Sequence, residues 1–331
     1  MVVYPIGDSR TGYYPSSIRR SPSQTLVQRR EGSHCGGDQT KDRVDSNPLW
    51  VRYFRRLSMS SQGQSSTLSG ISRKRDLWWQ FTLRAIESRY RGSYLGMLWA
   101  VLNPILMLGI FYVVFGLFFK SHFRDAAVET ETDYAMAMFL GLTLYMLIAE
   151  TLGASPLLII GNTNLVKKVV FPLEILPLAQ CGSLWFNLLI GLVLALGGSA
   201  VFGSGLSLVG LLWLPVILLP LLMLSAGLAW LLSALGVFFR DLAQAMPFIS
   251  QVILYSSAVF YPLSRIRDAH LWAIFKWNPF LQTVVLARET VLWGVPVNMR
   301  ALGYTYIAGV AALLAGRWVF MKLRPAFADV I

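Results

Sequence analysis

Six long apolar stretches dominate this 331-residue chain after its first 90 residues. An α-helix needs about 20 consecutive apolar residues to cross the hydrocarbon of a bilayer. Charged residues make up 14% of the chain, against about a quarter in soluble domains. The sequence therefore predicts an all-α integral membrane protein with six transmembrane helices, near residues 95–119, 135–160, 175–202, 206–238, 247–262 and 303–320.

The later apolar stretches are irregular. The fourth is over-long and contains Pro215 and Pro220, which predict a kink or a tilt. The fifth is short. Residues 263–300 are too apolar for a free loop and too interrupted for a span, and they contain Trp272, Trp277 and Trp293. Backbone at membrane depth must be satisfied within protein, so we expect re-entrant helices there.

An amphipathic helix precedes the first span, at residues 76–93. Its apolar side chains recur with the period of one helix face, and its polar ones lie opposite. The apolar face holds Trp79, Leu83, Ile86 and Tyr90, and the polar face holds Gln80, Arg84, Glu87 and Arg91. A basic, tryptophan-rich helix of this kind lies in the membrane–water interface. Its candidate anchoring residues are Trp78, Trp79, Arg84, Arg89, Tyr90 and Arg91.

Residues 1–75 carry 13 Lys and Arg against 5 Asp and Glu, a net charge of +8 out of the total of +12. Such a segment could bind nucleic acid, but its arginines are scattered and its aromatic residues are few. We favour a disordered, solvated tail that binds no nucleic acid. No signal peptide is recognisable in it. Met59 would open a normal short leader, so residues 1–58 are expected to be dispensable.

Basic residues near the ends of the spans predict the orientation. If the amino terminus is cytosolic, the inner segments contain Arg89, Lys167, Arg240 and Lys322. The predicted outer region 263–302 holds five further basic residues, but it is long and expected to pack at the membrane. Six spans then place both termini in the cytosol.

The short inner loop at residues 161–177 is the first candidate site. Asn162 or Asn164 could cap a small helix that contains Lys167 and Lys168, and Pro172 would stop it. A small basic helix at the membrane surface suits docking onto another protein. An ordinary positive-inside loop explains the same residues.

Aromatic residues at the end of the fifth span form the second candidate site. They could belong to an interfacial belt, or they could line a passage for sugars, whose apolar faces stack on rings. The candidate channel residues are Tyr112, Phe115, Tyr255, Phe260 and Tyr261. Glu150 is an acid within an apolar stretch, which by default indicates function. We favour a structural role for it, at the cytosolic end of the second span.

The chain contains no GxxxxGK[ST] phosphate-binding loop and no recognisable catalytic or metal-binding motif. If it moves a substrate uphill, the energy source is expected on another chain.

From about residue 75 onward the chain resembles the permease subunits of ABC-2-type exporters for polysaccharides, a family that covers O-antigen, capsule and teichoic-acid transporters. The resemblance rests on residues that occur in the family's order and spacing. They are Tyr90-Arg91-Gly92-Ser93, Leu95, Gly96, Trp99, Pro104, Asn164-Leu165, Lys167-Lys168, Phe171-Pro172, Glu174, Leu176-Pro177, Phe239-Arg240-Asp241, Phe260-Tyr261-Pro262 and Asn278-Pro279. The chain departs from the family at Ala258, where many relatives have proline, and in its long amino-terminal tail.

The resemblance implies a transmembrane domain over residues 76–331 that carries no cofactor and no hydrolytic chemistry. ATP and Mg would bind to a separate ABC ATPase subunit, which would dock on a coupling helix through Asn164, Leu165, Lys167, Lys168 and Phe171. Two copies of the chain would enclose a channel in a bacterial inner membrane. The implied substrate is a lipid-linked polysaccharide for lipopolysaccharide or capsule biosynthesis. An ABC-2 permease for a drug or lipid, a membrane enzyme acting on lipid-linked sugars and a structural scaffold are the alternatives.

Overall fold

The computed structural model describes residues 68–118, 122–123, 129–167, 171–203, 205–268 and 272–331, and all of its regular structure in these ranges is helical. The helices are α1 (Leu68–Tyr90), α2 (Trp99–Phe111), α3 (Glu131–Ala154), α4 (Thr163–Lys167), α5 (Ile175–Phe202), α6 (Leu208–Phe238), α7 (Leu242–Ser256), α8 (Leu263–Asp268), α9 (Trp272–Phe275), α10 (Pro279–Ala287), α11 (Met299–Leu323) and α12 (Phe327–Val330). A 3-10 turn, Gly96–Leu98, leads into α2, and π-helical turns at Tyr112–Phe118 and Arg288–Leu292 extend α2 and α10. The predicted all-α class is confirmed.

Five helical segments are long and apolar enough to cross a membrane: Gly96–Phe115, Glu131–Ala154, Ile175–Phe202, Leu208–Phe238 and Met299–Val330. They correspond to the first four and the sixth of the predicted spans. Helix α6 continues through both Pro215 and Pro220 as one helix of 31 residues. The fifth predicted span is represented by α7, which has 15 residues, fewer than the about 20 that a span requires. Six spans therefore stay a prediction.

Helix α1 begins eight residues earlier than the predicted tail boundary. Residues 68–75 belong to α1, and the Lys74 ammonium lies 2.8 Å from the Glu174 carboxylate. The structure differs from the predicted tail at residues 68–75, which form the first turns of α1, and the Lys74–Glu174 ion pair connects them to the start of α5. The remaining part of the predicted tail, residues 1–67, lies outside the described residues.

Helix α3 forms the centre of the bundle. The side chains of Tyr134, Ala135, Phe139, Leu140 and Leu144 are almost completely buried, although at about 100° per residue they point to every side of the helix. Helices α5, α6, α7 and α10 pack around it. Its start is fixed by a capping box, in which Thr130 accepts a hydrogen bond from the Asp133 amide and the Asp133 carboxylate accepts one from Thr130.

Helices α6 and α11 form the most extensive helix pair in the described part of the chain. Glycine allows their backbones to touch: a Cβ on Gly227, Gly309 or Gly316 would overlap backbone atoms of the opposite helix. Small residues serve this purpose in membrane helix pairs.

The segment after α7 reaches the end of the bundle where α3 begins and then turns back. The Tyr134 hydroxyl, near the start of α3, donates to the Phe260 carbonyl at 2.7 Å. The Phe280 ring lies 6.4 Å from the Tyr145 ring. Tyr145 is about 16 Å further along α3 than Tyr134, at 1.5 Å per residue. Helix α10 returns, and the Val291 carbonyl accepts from the Ser207 amide at the start of α6. This path suits the predicted re-entrant helices, which stay a prediction.

Two ends of the bundle can therefore be distinguished. The α1 end carries α1, α4 and the carboxy-terminal segment, joined by a buried cluster that includes Ile159, Leu173 and Phe327. The opposite end carries the starts of α3, α6 and α11.

Candidate functional site

Helix α1 lies against the first half of α5. The Trp78 indole donates to the Leu178 carbonyl at 3.0 Å. Thr82 is buried, and it packs beside Gly182, where a Cβ would overlap its side chain. This contact divides the predicted apolar face of α1. Ile86 is buried by the bundle, whereas Trp79 is 44% exposed and remains free for the membrane interface.

The polar face of α1 points away from the bundle. Gln80, Arg84, Glu87 and Arg91 are exposed. Arg89 differs from them, because its guanidinium lies 2.7 Å from the Glu150 carboxylate at the end of α3. The next residue, Tyr90, donates to the Asn187 side chain of α5 at 3.1 Å. The last turn of α1 is thus attached to two predicted spans, through Glu150 near the end of α3 and Asn187 on α5.

A cavity of about 570 Å³ lies next to the last turn of α1, between α2, α3 and α5. Polar side chains line the part nearest α1, and apolar side chains line the deeper part. The polar lining includes Arg89, Tyr90, Asn103, Glu150 and Asn187, and the apolar lining includes Met107, Phe111, Phe139, Leu142, Leu184 and Leu188. The cavity can hold an amphipathic molecule whose polar part lies at the α1 end.

Helix α4 is the segment predicted as the coupling helix. Asn164 and Lys167, three residues apart, are exposed on one face, while Leu165 and Val166 are half-buried against the bundle. The Phe171 ring packs on Phe81 of α1 with a centroid distance of 4.9 Å. Lys168, the remaining predicted coupling residue, lies outside the described residues.

Glu174 joins three parts of the α1 end and was not recognised as a site residue. Its carboxylate lies 2.8 Å from Lys74 of α1 and 3.9 Å from Arg324 after α11. Its carbonyl accepts from the Trp230 indole of α6 at 3.0 Å. The Lys74 hydrogen bond, with the nearby positive charges, holds the pKa of the Glu174 carboxyl below its usual value. We refer to Lys74, Glu174 and Arg324 as the Glu174 junction.

Four of the five predicted channel residues lie close together. The Phe260 ring stacks on Phe115 at 5.6 Å and lies 6.3 Å from Tyr255. The Tyr261 hydroxyl donates to the Tyr255 carbonyl. The cluster also contains Phe111, 6.0 Å from Phe260, which sequence reasoning missed because its helix looks apolar on every side. Tyr112 is half-buried at the start of the π-helical turn, and the ring contacts found in the described ranges do not include it.

Arg288 holds the turn that carries Phe260, and it was also missed. Its guanidinium is buried and donates to the carbonyls of Ala137, Ala258 and Val259 at 2.7–2.8 Å. Its charge also lies 4.2 Å from the Phe123 ring centroid. Ala258 has a φ of +51°, which a proline cannot adopt. In the sequence, an arginine within an apolar run was the one available signal.

Comparisons with known proteins bear on this arrangement. Residues 76–292 match the family model described as "ABC-2 type transporter". The chain is 26% identical over 256 residues to the O-antigen export system permease protein RfbA of Klebsiella pneumoniae, covering 77% of this chain and 95% of that protein. It is 28% identical over 249 residues to the protein of the same name from Myxococcus xanthus, with 75% and 92% covered. It is 25% identical over 248 residues to the polysialic acid transport protein KpsM of Escherichia coli, with 74% and 92% covered.

Proposed function

The chain belongs to the ABC-2 type transporter family and is a multi-pass membrane protein, and from this premise we propose that it is the permease subunit of an ATP-driven polysaccharide exporter. Its substrate would be a lipid-linked O-antigen or capsule-like glycan, moved from the cytosolic to the outer side of a bacterial inner membrane. The names of the similar proteins, O-antigen export permease and polysialic acid transport protein, support this substrate class.

The observation that carries the proposal is the arrangement of α4, α1 and the carboxy-terminal segment at the α1 end. A short helix presents Asn164 and Lys167 outward, and its other face packs in one cluster with α1 and the carboxy-terminal segment. An ABC ATPase that binds ATP and Mg would dock there, so this end would be cytosolic and would carry the carboxy terminus. Motion of the ATPase would reach α5 through the Phe81–Phe171 contact and the Glu174 junction.

The proposal includes a homodimer with the channel between its two copies. The exposed side of α7 supports this arrangement: it carries Gln244, Phe248, Gln251 and Tyr255 in a stripe at spacings of four, three and four residues. Glutamine side chains are costly against lipid, so polar groups at membrane depth face protein or water. The stripe leads to the aromatic cluster of Phe260, whose rings suit the apolar faces of sugars.

The cavity between α2, α3 and α5 supports a lipid-linked substrate. Its volume of about 570 Å³ lies within the usual range of about 300–1,000 Å³ for binding sites. Its apolar depth could take part of a lipid chain, and the polar side chains around Arg89 and Tyr90 could face the headgroup.

The proposal is tested in a strain whose own copy of the gene is deleted and replaced by a wild-type or a variant allele. The Lys167→Glu variant reverses the exposed charge of α4, and Arg300→Glu reverses an exposed charge at the opposite end as the matched control. We expect Lys167→Glu to lower surface polysaccharide and the ATPase stimulation of the purified complex several-fold, with Arg300→Glu near wild type.

Three results would contradict this assignment in different ways. Unchanged surface polysaccharide in the deletion strain would point to a drug or lipid permease. Full coupling in a Lys167→Glu, Lys168→Glu double variant would remove the docking role from α4. Turnover of lipid-linked sugars by the purified chain alone would favour the membrane-enzyme alternative.

A further inference from the structure

A groove of about 440 Å³ lies at the α1 end, between α4 and the carboxy-terminal segment. Leu165, Val166 and Phe171 form one wall, and Met321, Pro325 and Ala328 form the other. The two walls are at least 150 residues apart in sequence, from Phe171 to Met321, and no sequence pattern connects them.

The carboxy-terminal wall is fixed by packing. Phe327 is completely buried, with its ring 5.5 Å from Phe320 and 6.2 Å from Phe238. Helix α12 also contacts α4 directly, and the Arg324 guanidinium lies 3.9 Å from the Glu174 carboxylate. A groove whose walls are held in this way is formed before any partner arrives, so binding requires little ordering.

The charges around the groove are mainly positive. Arg324 lines the groove with its side chain 36% exposed, and Lys167 is exposed on α4 next to the lining residue Val166. Asp329 is the nearby exposed acid on α12, while the Glu174 carboxylate is already shared between Lys74 and Arg324. An apolar floor with a basic rim is complementary to an apolar side chain flanked by carboxylates.

We propose that the groove receives an apolar side chain of the ABC ATPase subunit, next to acidic residues, and that the docking surface extends from α4 to the groove-lining residues Arg324, Pro325 and Ala328. This inference rests on the proposed function, because it names more of the surface that the same partner would use. Its argument is continuity: Leu165 and Val166 form the inner face of α4, so a partner that covers Asn164 and Lys167 also reaches the groove.

The carboxy-terminal wall gives the partner a second connection to the transmembrane helices. Helix α4 leads through Glu174 into α5, whereas residues 324–331 follow α11, which packs along α6. Force applied to the groove would therefore act on the α6–α11 pair and on α5 together.

The test fills the groove without changing its charge. Ala328→Trp places an indole in the groove, and Val330→Trp is the matched control, because Val330 is also exposed on α12 but does not line the groove. Each full-length variant is co-expressed with the partner ABC ATPase subunit, and the affinity of the purified pair is measured. We expect Ala328→Trp to weaken binding about tenfold or more, as for a blocked interface centre, and Val330→Trp to bind like wild type.

A second measurement does not depend on the tolerance of the tryptophan. A photoreactive amino acid at position 328 should form a cross-link to the ATPase, and the same group at position 330 should form far less. If Ala328→Trp binds like wild type and position 328 gives no cross-link, while Lys167→Glu still weakens binding, the groove is not part of the interface. If the wild-type chain itself binds no ATPase, the proposed function fails as well.

Discussion

At the scale of single residues, Arg288 shows how a charge is accommodated inside this bundle. Each of its three guanidinium nitrogens donates a hydrogen bond to a backbone carbonyl. The carbonyls belong to two separate segments, Ala137 on α3 and Ala258 with Val259 after α7. Hydrogen bonds from charged groups are stronger than neutral ones. Gly141 makes room for the guanidinium, because a Cβ there would overlap it. The sequence shows a lone arginine at this position, but the carbonyls that it binds depend on the tertiary fold.

The close approach at Gly141 gives a prediction. Gly141→Ala should lower the stability of the purified protein by about 1–3 kcal/mol, since overpacking forces Arg288 from its carbonyl acceptors. Gly153→Ala, on the same helix, has no atom within 4 Å of the added Cβ and should leave stability unchanged or raise it. Thermal unfolding in detergent measures both variants. Equal midpoints for the two variants would contradict the close contact.

At the scale of elements, α1 begins earlier than its amphipathic pattern predicts. The pattern places the start near residue 76, whereas α1 begins at Leu68 and the Lys74–Glu174 ion pair connects this extension to the start of α5. Helix α7 is shorter than its apolar run predicts, because the run continues to residue 262 while the helix ends at Ser256. The left-handed Ala258 and the carbonyls bound by Arg288 end it there. Hydropathy thus located the elements, whereas distant contacts set their ends.

The lowered pKa of the Glu174 carboxyl predicts a pH dependence. A carboxyl with a lowered folded-state pKa stabilises the fold above its unfolded pKa, and this contribution is lost as the pH falls through the folded value. Wild type should therefore unfold at a higher temperature than Glu174→Gln at neutral pH, and the difference should disappear in acid. Glu87→Gln changes an exposed carboxylate of α1 as the control and should match wild type throughout. A difference for Glu174→Gln that persists unchanged in acid would contradict the ionic role.

At the scale of the whole molecule, the positions and order of the five long helices were predictable, because long apolar runs have few alternative structures. The surfaces that these helices bury were not predictable. The first span and α3 are both apolar, yet 6% of the first and 83% of the second is buried in their most apolar windows. The groove, the cavity and the aromatic cluster all lie between elements distant in sequence. Periodicity cannot pair helices that are hydrophobic on every side.

The proposed two-copy channel predicts that exposed apolar and exposed polar positions differ in their access to water. In a chain whose Cys35 and Cys181 are changed to alanine, Gln251→Cys should react with a membrane-impermeant maleimide. Val193→Cys should stay unlabelled, although Val193 on α5 is 69% exposed, because it would face lipid. Reaction in membrane vesicles is followed by mass shift. Labelling of both positions, or of Val193→Cys alone, would place the channel elsewhere.

The enclosed position of α3 also has a consequence for biosynthesis. It is made second among the five long helices, but α10, which supplies Phe280 and leads to Arg288, is made almost last. Until Arg288 is made, the Ala137 carbonyl on α3 lacks the guanidinium that binds it in the finished bundle. Chains truncated before residue 279 should consequently be recognised by membrane quality-control proteases, and completion of α10 marks the point at which the permease becomes resistant to them.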